Sequence, residues 1–199
     1  MSARIAAIVL AGGRSSRMAP RNKLLEPVEN KAIVARVAEA AMASGADPVI
    51  VVTGFDAARI EQALRGLKMT IVHNDAFAQG LSTSLRTGLG AVPPDSNGAL
   101  ILLGDMPGVE SSVLRALMAA FTGAGAICVP VHQGRRGNPV LWGRDYFAEM
   151  MGLSGDVGAK HILALHQECV TEVAVESDGI FADVDTQDDL ARLRARCAP

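Results

Sequence analysis

Cysteine is scarce in this chain, and the three that occur lie far apart. Cys128, Cys169 and Cys197 are odd in number and form no C-x-x-C pair within the 199 residues. This pattern indicates neither a disulfide framework nor a zinc site. A reducing compartment suits such a protein best, so we expect it in the cytoplasm.

Long apolar runs and a strong excess of one charge are missing as well. No apolar segment approaches the roughly 18 residues of a membrane span, and the first four residues lack the apolar stretch and cleavage site of a signal peptide. The net charge of -2 and the pI of about 6.1 argue against a nucleic-acid partner, which usually shows a basic stripe. We therefore expect a soluble protein with neither a membrane nor a nucleic acid as partner. Any anion should be held by a local cluster of cations.

Strand-like and helix-like segments alternate along most of the chain. Apolar runs at 5–10, 49–52 and 99–103 are separated by stretches with helical spacing, such as 32–42. With 49% hydrophobic residues among 199, the pattern predicts one domain over residues 1–199. Strands that are apolar throughout indicate an α/β fold with a mostly parallel, twisted sheet and ligands at the carboxyl ends of its strands. The run at 140–142 is expected to be an antiparallel strand.

A glycine-containing turn with three cations follows the first predicted strand. Gly12 and Gly13 come directly after the first apolar run, and Arg14, Arg17 and Lys23 follow them closely. Glycines let backbone N–H groups approach an anion, and the basic side chains supply positive charge. The spacing matches neither the Walker loop G-x-x-x-x-G-K-[ST] nor the dinucleotide fingerprint G-x-G-x-x-G. The Gly-Gly pair alone is explained by an ordinary turn, but with the cations it indicates a phosphate site.

Two aspartates are candidate metal ligands. Asp105 follows a buried strand, and Mg²⁺ takes only one or two protein carboxylates alongside substrate phosphates. Taken alone, Asp105 is explained equally well as a turn residue, but the arginine loop beside it favours the metal interpretation. Asp185 or Thr186 can cap the last predicted helix. Asp185 also ends a strand predicted over 180–184, from which it can approach the same metal.

The order of these motifs resembles one family. The L-A-G-G-x-x-x-R-M loop followed by a lysine, then H-N at 73–74, Q-G-L-S-T-S at 79–84 and G-D-M-P at 104–107, resemble the molybdopterin cytidylyltransferase and guanylyltransferase group of nucleotidyltransferases. The resemblance covers nearly the whole chain and implies a Rossmann-like three-layer nucleotidyltransferase fold. It also implies Mg²⁺ as cofactor, CTP or GTP as donor, a phosphorylated acceptor that we expect to be molybdopterin, and a molybdoenzyme as client.

Residue chemistry and the resemblance together assign the site. Arg14, Arg17, Lys23 and Asp105 are the predicted catalytic residues, and Asp105 and Asp185 the predicted metal ligands. The predicted nucleotide-binding residues are Leu10, Ala11, Gly12, Gly13, Arg14, Lys23, Thr53, Asn74, Gly80, Ser82 and Ser84. The resemblance places the acceptor at Gly137, Asn138, Pro139, Asp156 and Lys160.

Two motifs indicate different nucleobases for the donor nucleotide. The L-A-G-G loop is typical of the guanylyltransferases, whereas the G-L-S-T segment is closer to the cytidine users. We predict transfer of CMP from CTP to the terminal phosphate of molybdopterin, with release of pyrophosphate. The alternatives are a GTP-using guanylyltransferase, a methylerythritol phosphate or sugar phosphate cytidylyltransferase, and a noncatalytic protein that binds a cofactor.

Overall fold

The computed structural model describes residues 3–18, 20–155 and 158–197. The strands are β1 (Ile5–Ala11), β2 (Pro27–Val28), β3 (Lys31–Ala32), β4 (Val49–Thr53), β5 (Thr70–His73), β6 (Gly98–Leu103), β7 (Ile127–His132), β8 (Arg135–Arg136), β9 (Val140–Gly143) and β10 (Val170–Ala174). The helices are α1 (Ile33–Ala43), α2 (Ala57–Ala63), α3 (Leu81–Gly90), α4 (Ser111–Ala119), α5 (Phe147–Met151), α6 (Lys160–Leu165) and α7 (Gln187–Cys197). Within the described ranges, none of the helices combines the length and apolar character needed to cross a membrane.

The main sheet has the order β10-β7-β9-β6-β1-β4-β5, and β8 pairs with β7 beside this path. β1 is parallel to both of its neighbours, as β10 is to β7 and β5 to β4. β9 runs antiparallel between β6 and β7, as predicted for the run at 140–142. The prediction of an α/β fold with a mostly parallel sheet is therefore confirmed.

The side chains of β1 alternate between two apolar cores, one on each face of the sheet. Ile5, Ala7 and Val9 pack with residues of α1, α2 and α4, whereas Ala6 and Ile8 pack with residues of α3, α5 and α6. Every residue of β1 is buried. Complete burial of a large aliphatic side chain contributes about 1.5–3 kcal/mol. The carboxyl end of β1 is thus fixed between two helical layers, and the glycine loop begins there.

Helix α3 lies close to the sheet because Gly88 faces it. A Cβ at Gly88 would lie 2.5 Å from the Cγ2 atom of Ile8, which is closer than packed carbon atoms approach. The first turn of α3 is equally close to the glycine loop, since a Cβ at Gly12 would lie 3.0 Å from the Oγ atom of Ser84. The start of α3 therefore faces the carboxyl end of β1.

The structure differs from the sequence prediction near the carboxyl end of the chain. The strand predicted over 180–184 is wrong, because Asp178–Phe181 forms a 3-10 turn in which Ser177 accepts a hydrogen bond from the Gly179 N–H group. The edge strand β10 was not predicted, because its sequence V-T-E-V-A has neither an apolar run nor a strict alternation of apolar and polar residues.

Candidate active site

A cavity of about 400 Å³ lies at the carboxyl ends of β1 and β6. The glycine loop forms one wall, and Phe77 with the start of α3 forms another. The cavity brings together many of the residues predicted for nucleotide, metal and catalysis, namely Leu10, Gly12, Gly13, Arg14, Arg17, Lys23, Gly80, Ser84, Asp105 and Asp185. The structure places these residues in one cavity, and their individual roles stay predictions.

Two polar residues that the sequence prediction missed hold the glycine loop in place. The Oγ atom of Ser15 accepts a hydrogen bond from the Lys23 backbone N–H at 3.2 Å and donates one to Oδ1 of Asn22 at 3.2 Å. Asn22 is buried, and its Oδ1 atom also accepts from the Leu24 N–H at 3.1 Å. The only sequence signal was an N-cap residue type directly before Lys23. These bonds fix Lys23 beside the loop.

Lys23 bridges the two predicted metal ligands. Its Nζ atom lies 2.5 Å from Oδ2 of Asp105 and 2.7 Å from Oδ1 of Asp185. Arg17 forms an ion pair with the other carboxylate oxygen of Asp185 from the solvent side. The side chain of Lys23 is only 15% exposed and that of Asp105 19%, whereas Arg17 is 69% exposed. The cluster is therefore sheltered around Lys23 and open to solvent at Arg17.

The charges of this cluster shift the pKa values of its members. Burial by itself would lower the pKa of Lys23, but the charge and hydrogen bond of Asp105, together with those of Asp185, outweigh it and raise that pKa. The hydrogen bond from Lys23 is the largest cause of the lowered pKa of Asp185, and Arg17 adds to it. Lys23 and Asp185 are therefore both held in their charged forms.

Two contacts bring the segment before α7 against the loop after β6. The Val184 N–H donates to the carbonyl oxygen of Asp105 at 3.0 Å. Gly179 packs directly on Gly108, since a Cβ at Gly179 would lie 2.0 Å from the Gly108 oxygen. Only a residue without a side chain fits at this position. The backbone thus sets the two carboxylates beside each other without any metal.

The alternative role of Asp185 as a helix cap is taken by its neighbours. The Oγ1 atom of Thr186 accepts from the Asp189 N–H at 3.2 Å, and Oδ2 of Asp189 accepts from the Thr186 N–H at 2.8 Å. Hydrogen bonds from Thr186, first of all that of its hydroxyl, lower the pKa of Asp189 to about 2. This reciprocal cap leaves the Asp185 carboxylate for Lys23 and Arg17.

The donor set fits a divalent cation such as Mg²⁺ that also uses ligands from a substrate. Two carboxylates face each other across Lys23, and Oδ1 of Asp105 is buried without a hydrogen-bond partner. In the described part of the chain, no group of three or more His, Cys, Asp or Glu side chains converges to hold a metal alone. Because Mg²⁺ usually keeps one or two protein carboxylates together with phosphate oxygens and water, a pair suffices.

Several predicted nucleotide-binding residues do not line this cavity. Thr53 is buried, and its Oγ1 atom lies 3.2 Å from Nδ1 of His73. Asn74 is buried and donates to the hydroxyls of Thr83 and Ser84. Ala11 belongs to the core, and Ser82 is fully buried. If these residues act on a nucleotide, they do so by supporting the residues around them.

Phe77 is a cavity residue that the sequence analysis did not single out. Its ring centroid lies 5.8 Å from the guanidinium carbon of Arg14, within the range of a cation–π contact. Arg14 is exposed, so this contact limits where its guanidinium can lie.

A second cavity of about 540 Å³ adjoins the first and shares the side chains of Leu10, Leu81 and Leu103 with it. Of the predicted acceptor-binding residues, Gly137, Asn138 and Lys160 line this second cavity. Pro139 is buried beside it and does not line it. Asp156 lies outside the described residues.

The rim of the second cavity carries both signs of charge. Arg135, Arg136 and Lys160 are exposed there, and the Arg135 guanidinium lies 4.6 Å from the ring centroid of Phe181. Asp183 lies on the same rim, and partial burial raises its pKa, with Asp185 and Asp105 adding to the shift. The cavity therefore offers cations around an apolar floor.

The sheet and its cation-bearing loop define an α/β protein with a cavity lined by basic residues at the carboxyl edge of the strands. The family model described as the MobA-like NTP transferase domain matches residues 7–170, and the chain belongs to this family. It is therefore a nucleotidyltransferase. The resemblance noted from the motifs, and the nucleotidyltransferase fold expected from it, are confirmed.

Individual relatives agree with the family. The molybdenum cofactor cytidylyltransferase of Escherichia coli (strain K12) is 29% identical over 190 residues, which cover 95% of each chain. The crystal structure of a homolog of Mycobacterium tuberculosis Rv0371c, from Mycobacterium sp. strain JC1, superposes with a TM-score of 0.87 at 29% identity and covers 99% of this chain and 98% of that one. A complex of Rv0371c from Mycobacterium tuberculosis H37Rv with manganese gives a TM-score of 0.81 at 29% identity, covering 96% of this chain and 98% of that one.

Proposed function

We propose that this nucleotidyltransferase transfers CMP from CTP to the terminal phosphate of molybdopterin and releases pyrophosphate. The observation that carries the proposal is the meeting of Lys23, Asp105 and Asp185 in a cavity walled by the glycine loop. The Escherichia coli cytidylyltransferase, similar over nearly its whole length, supports the choice of donor and acceptor.

The donor triphosphate is held in the first cavity. Gly12, Gly13, Arg14 and Lys23 line it, so their backbone N–H groups and basic side chains are available to phosphate oxygens. These groups neutralise phosphate charge and orient the α-phosphorus. Positioning and charge neutralisation are the main contributions of a protein to phosphoryl transfer. Ser84, in the first turn of α3, lines the same cavity beside Gly12 and contacts the nucleoside.

Asp105 and Asp185 would hold Mg²⁺, which would supply positive charge against the triphosphate during transfer. The manganese complex of the mycobacterial neighbour supports a divalent cation in this fold. Arg17, paired with Asp185 at the open side, adds positive charge where the pyrophosphate leaves.

The acceptor lies in the second cavity, where Asn138, Lys160 and the exposed arginines surround an apolar floor. Its phosphomonoester has a second pKa near roughly 6, so it is largely a dianion at neutral pH. A phosphate oxygen of the dianion attacks the α-phosphorus of CTP, and the bond from that phosphorus to the β-phosphate oxygen breaks. The attacking oxygen carries no proton, so no protein side chain has to act as a general base.

A pyrophosphate-release screen tests the proposed reaction. CTP, GTP, ATP and UTP are each combined with molybdopterin, methylerythritol phosphate and sugar phosphates in the presence of Mg²⁺. We expect the highest kcat/KM for CTP with molybdopterin. A preference for GTP would show that the proposed nucleobase is wrong. Pyrophosphate release only with another acceptor would show that the proposed acceptor is wrong. Nucleotide binding without release from any pair would overturn the enzymatic proposal.

Gly13→Ala tests the triphosphate site without disturbing the fold. A Cβ at Gly13 would meet nothing within 4 Å in the protein, and Gly13 lines the cavity where the phosphates are proposed to bind, so the added methyl group would hinder a phosphate close to this backbone. We expect an unchanged melting temperature and a KM for CTP raised by about tenfold, equivalent to about 1.4 kcal/mol. Gly90→Ala is the matched control, because its Cβ also meets nothing but lies at the far end of α3. Equal KM values for the two variants would contradict the proposed phosphate position.

A further inference from the structure

Lys23 lies where a cation bridging the two carboxylates would have to lie. Its Nζ atom is 2.5 Å from Oδ2 of Asp105 and 2.7 Å from Oδ1 of Asp185, and the side chain is 15% exposed. Together with Arg17, which pairs with the remaining oxygen of Asp185, the cluster holds two positive and two negative charges. It is electrically neutral before any metal binds.

The same two oxygen atoms cannot serve Lys23 and a bridging divalent cation at once. Mg²⁺ binds its oxygen ligands at about 2.0–2.1 Å, so a cation between these oxygens would overlap the ammonium group. The two positive charges would also repel each other strongly at such a separation in a sheltered site. Metal binding between Oδ2 of Asp105 and Oδ1 of Asp185 therefore requires Lys23 to move away.

The lysine side chain is suited to such a movement. Its ammonium is a compact charge on a flexible four-carbon stem, with three donors that can be redirected. Lys23 lines the same cavity as Gly13 and Arg14, so phosphate oxygens in that cavity would be accessible to it. The backbone of Lys23 is meanwhile fixed by Ser15, so the side chain can exchange partners while the loop stays in place.

We propose that Lys23 is an exchangeable counter-ion, which occupies the carboxylate pair in the free protein and leaves it for the phosphates when a triphosphate binds. The inference rests on the proposed function, from which it takes the triphosphate and the cation. The exchange couples the two ligands, so that each raises the affinity for the other. Oδ2 of Asp105 then becomes available to the metal, beside its buried Oδ1 atom, which has no hydrogen-bond partner.

Titration of the nucleotide-free chain with Mn²⁺ tests the exchange without any catalytic readout. At constant ionic strength, isothermal titration calorimetry should show weak binding to the wild-type protein. Lys23→Met and Lys23→Gln should bind Mn²⁺ at least about tenfold more tightly, because the competing ammonium is gone. Lys31→Met is the charge-matched control. It removes one lysine from an exposed pair with Glu39 at 2.8 Å and should leave Mn²⁺ affinity unchanged.

Thermal unfolding provides a second readout. Without Lys23, the two carboxylates face each other with Asp183 close by and with Arg17 paired to Asp185 at the exposed side, so Lys23→Met should melt below wild type and recover when Mn²⁺ is added. The Gln variant keeps a hydrogen-bond donor near the pair and should lose less stability. The wild-type melting temperature should respond little to Mn²⁺. Unchanged or weaker Mn²⁺ affinity in both folded variants would overturn the exchange.

The outcomes separate this inference from the proposed reaction. Tighter Mn²⁺ binding by the Lys23 variants, with no pyrophosphate release by the wild type from any substrate pair, would overturn the reaction and leave the exchange standing. Turnover by the wild type with unchanged Mn²⁺ affinity in the variants would overturn the exchange alone.

Discussion

Asp105→Asn is expected to lower kcat/KM for nucleotidyl transfer by about a hundredfold or more while the chain stays folded. The amide keeps the size of the side chain but loses the negative charge that faces Lys23 at 2.5 Å and that would hold the metal. Lys23 retains its contact with Asp185 at 2.7 Å, so no ammonium is left buried without a carboxylate. Initial rates of pyrophosphate release over a range of CTP concentrations, at saturating acceptor, measure the loss.

Asp188→Asn is the control for the Asp105 variant. It makes the same chemical change at an exposed position in the first turn of α7, close in sequence to Asp185 but outside the cavity. We expect wild-type turnover from it, and melting temperatures of both variants within a few degrees of wild type. Full activity of Asp105→Asn would refute the metal role of this carboxylate.

The position of Asp105 could be predicted because it depends on a regular property of parallel sheets. Apolar runs identified β1 and β6, and the carboxyl ends of parallel neighbours lie at the same edge. The strand pattern alone therefore predicts that the glycine loop and Asp105 lie together.

The pairing of Lys23 with both carboxylates could not be predicted in this way. Its partners are 82 and 162 residues away in the sequence, and the contact depends on the close approach of Gly179 to Gly108. Nothing in the local pattern reports such an approach, and the strand wrongly predicted over 180–184 replaced the turn that creates it. The spacing of apolar residues along the sequence predicts helices and strands, but it does not predict which side chains meet when irregular segments determine the contact.

Asn74 is a second residue whose contacts could not be predicted from the sequence, although the residue itself was assigned to the nucleotide site. It was predicted to bind nucleotide, yet it is 3% exposed and its Nδ2 group donates to Thr83 at 2.8 Å and Ser84 at 3.0 Å. Its Oδ1 atom accepts from the Ala76 N–H at 3.0 Å. One amide thus ties the loop after β5 to the first turn of α3, and with it the cavity wall that carries Ser84.

Asn74→Ala is therefore expected to lower the free energy of unfolding by about 2–3 kcal/mol, because it leaves several buried polar groups without partners. For a chain of this size the melting temperature should fall by roughly 5–10 °C. The KM for CTP should rise as well, since Ser84 loses its fixed orientation. Circular dichroism melting and steady-state kinetics provide the two measurements.

Two comparison variants show whether the amide donor is the cause. Asn74→Asp keeps the size and the acceptor for the Ala76 N–H but cannot donate to the two hydroxyls, so it should lose most of the same stability at neutral pH. Asn97→Ala removes one hydrogen bond, from the Arg4 N–H at 2.9 Å, at an exposed site and should cost at most about 1 kcal/mol. If Asn74→Ala melts like Asn97→Ala with an unaltered KM, the amide does not support the cavity wall. A stability loss with unchanged KM would instead confine Asn74 to folding and remove it from the nucleotide site.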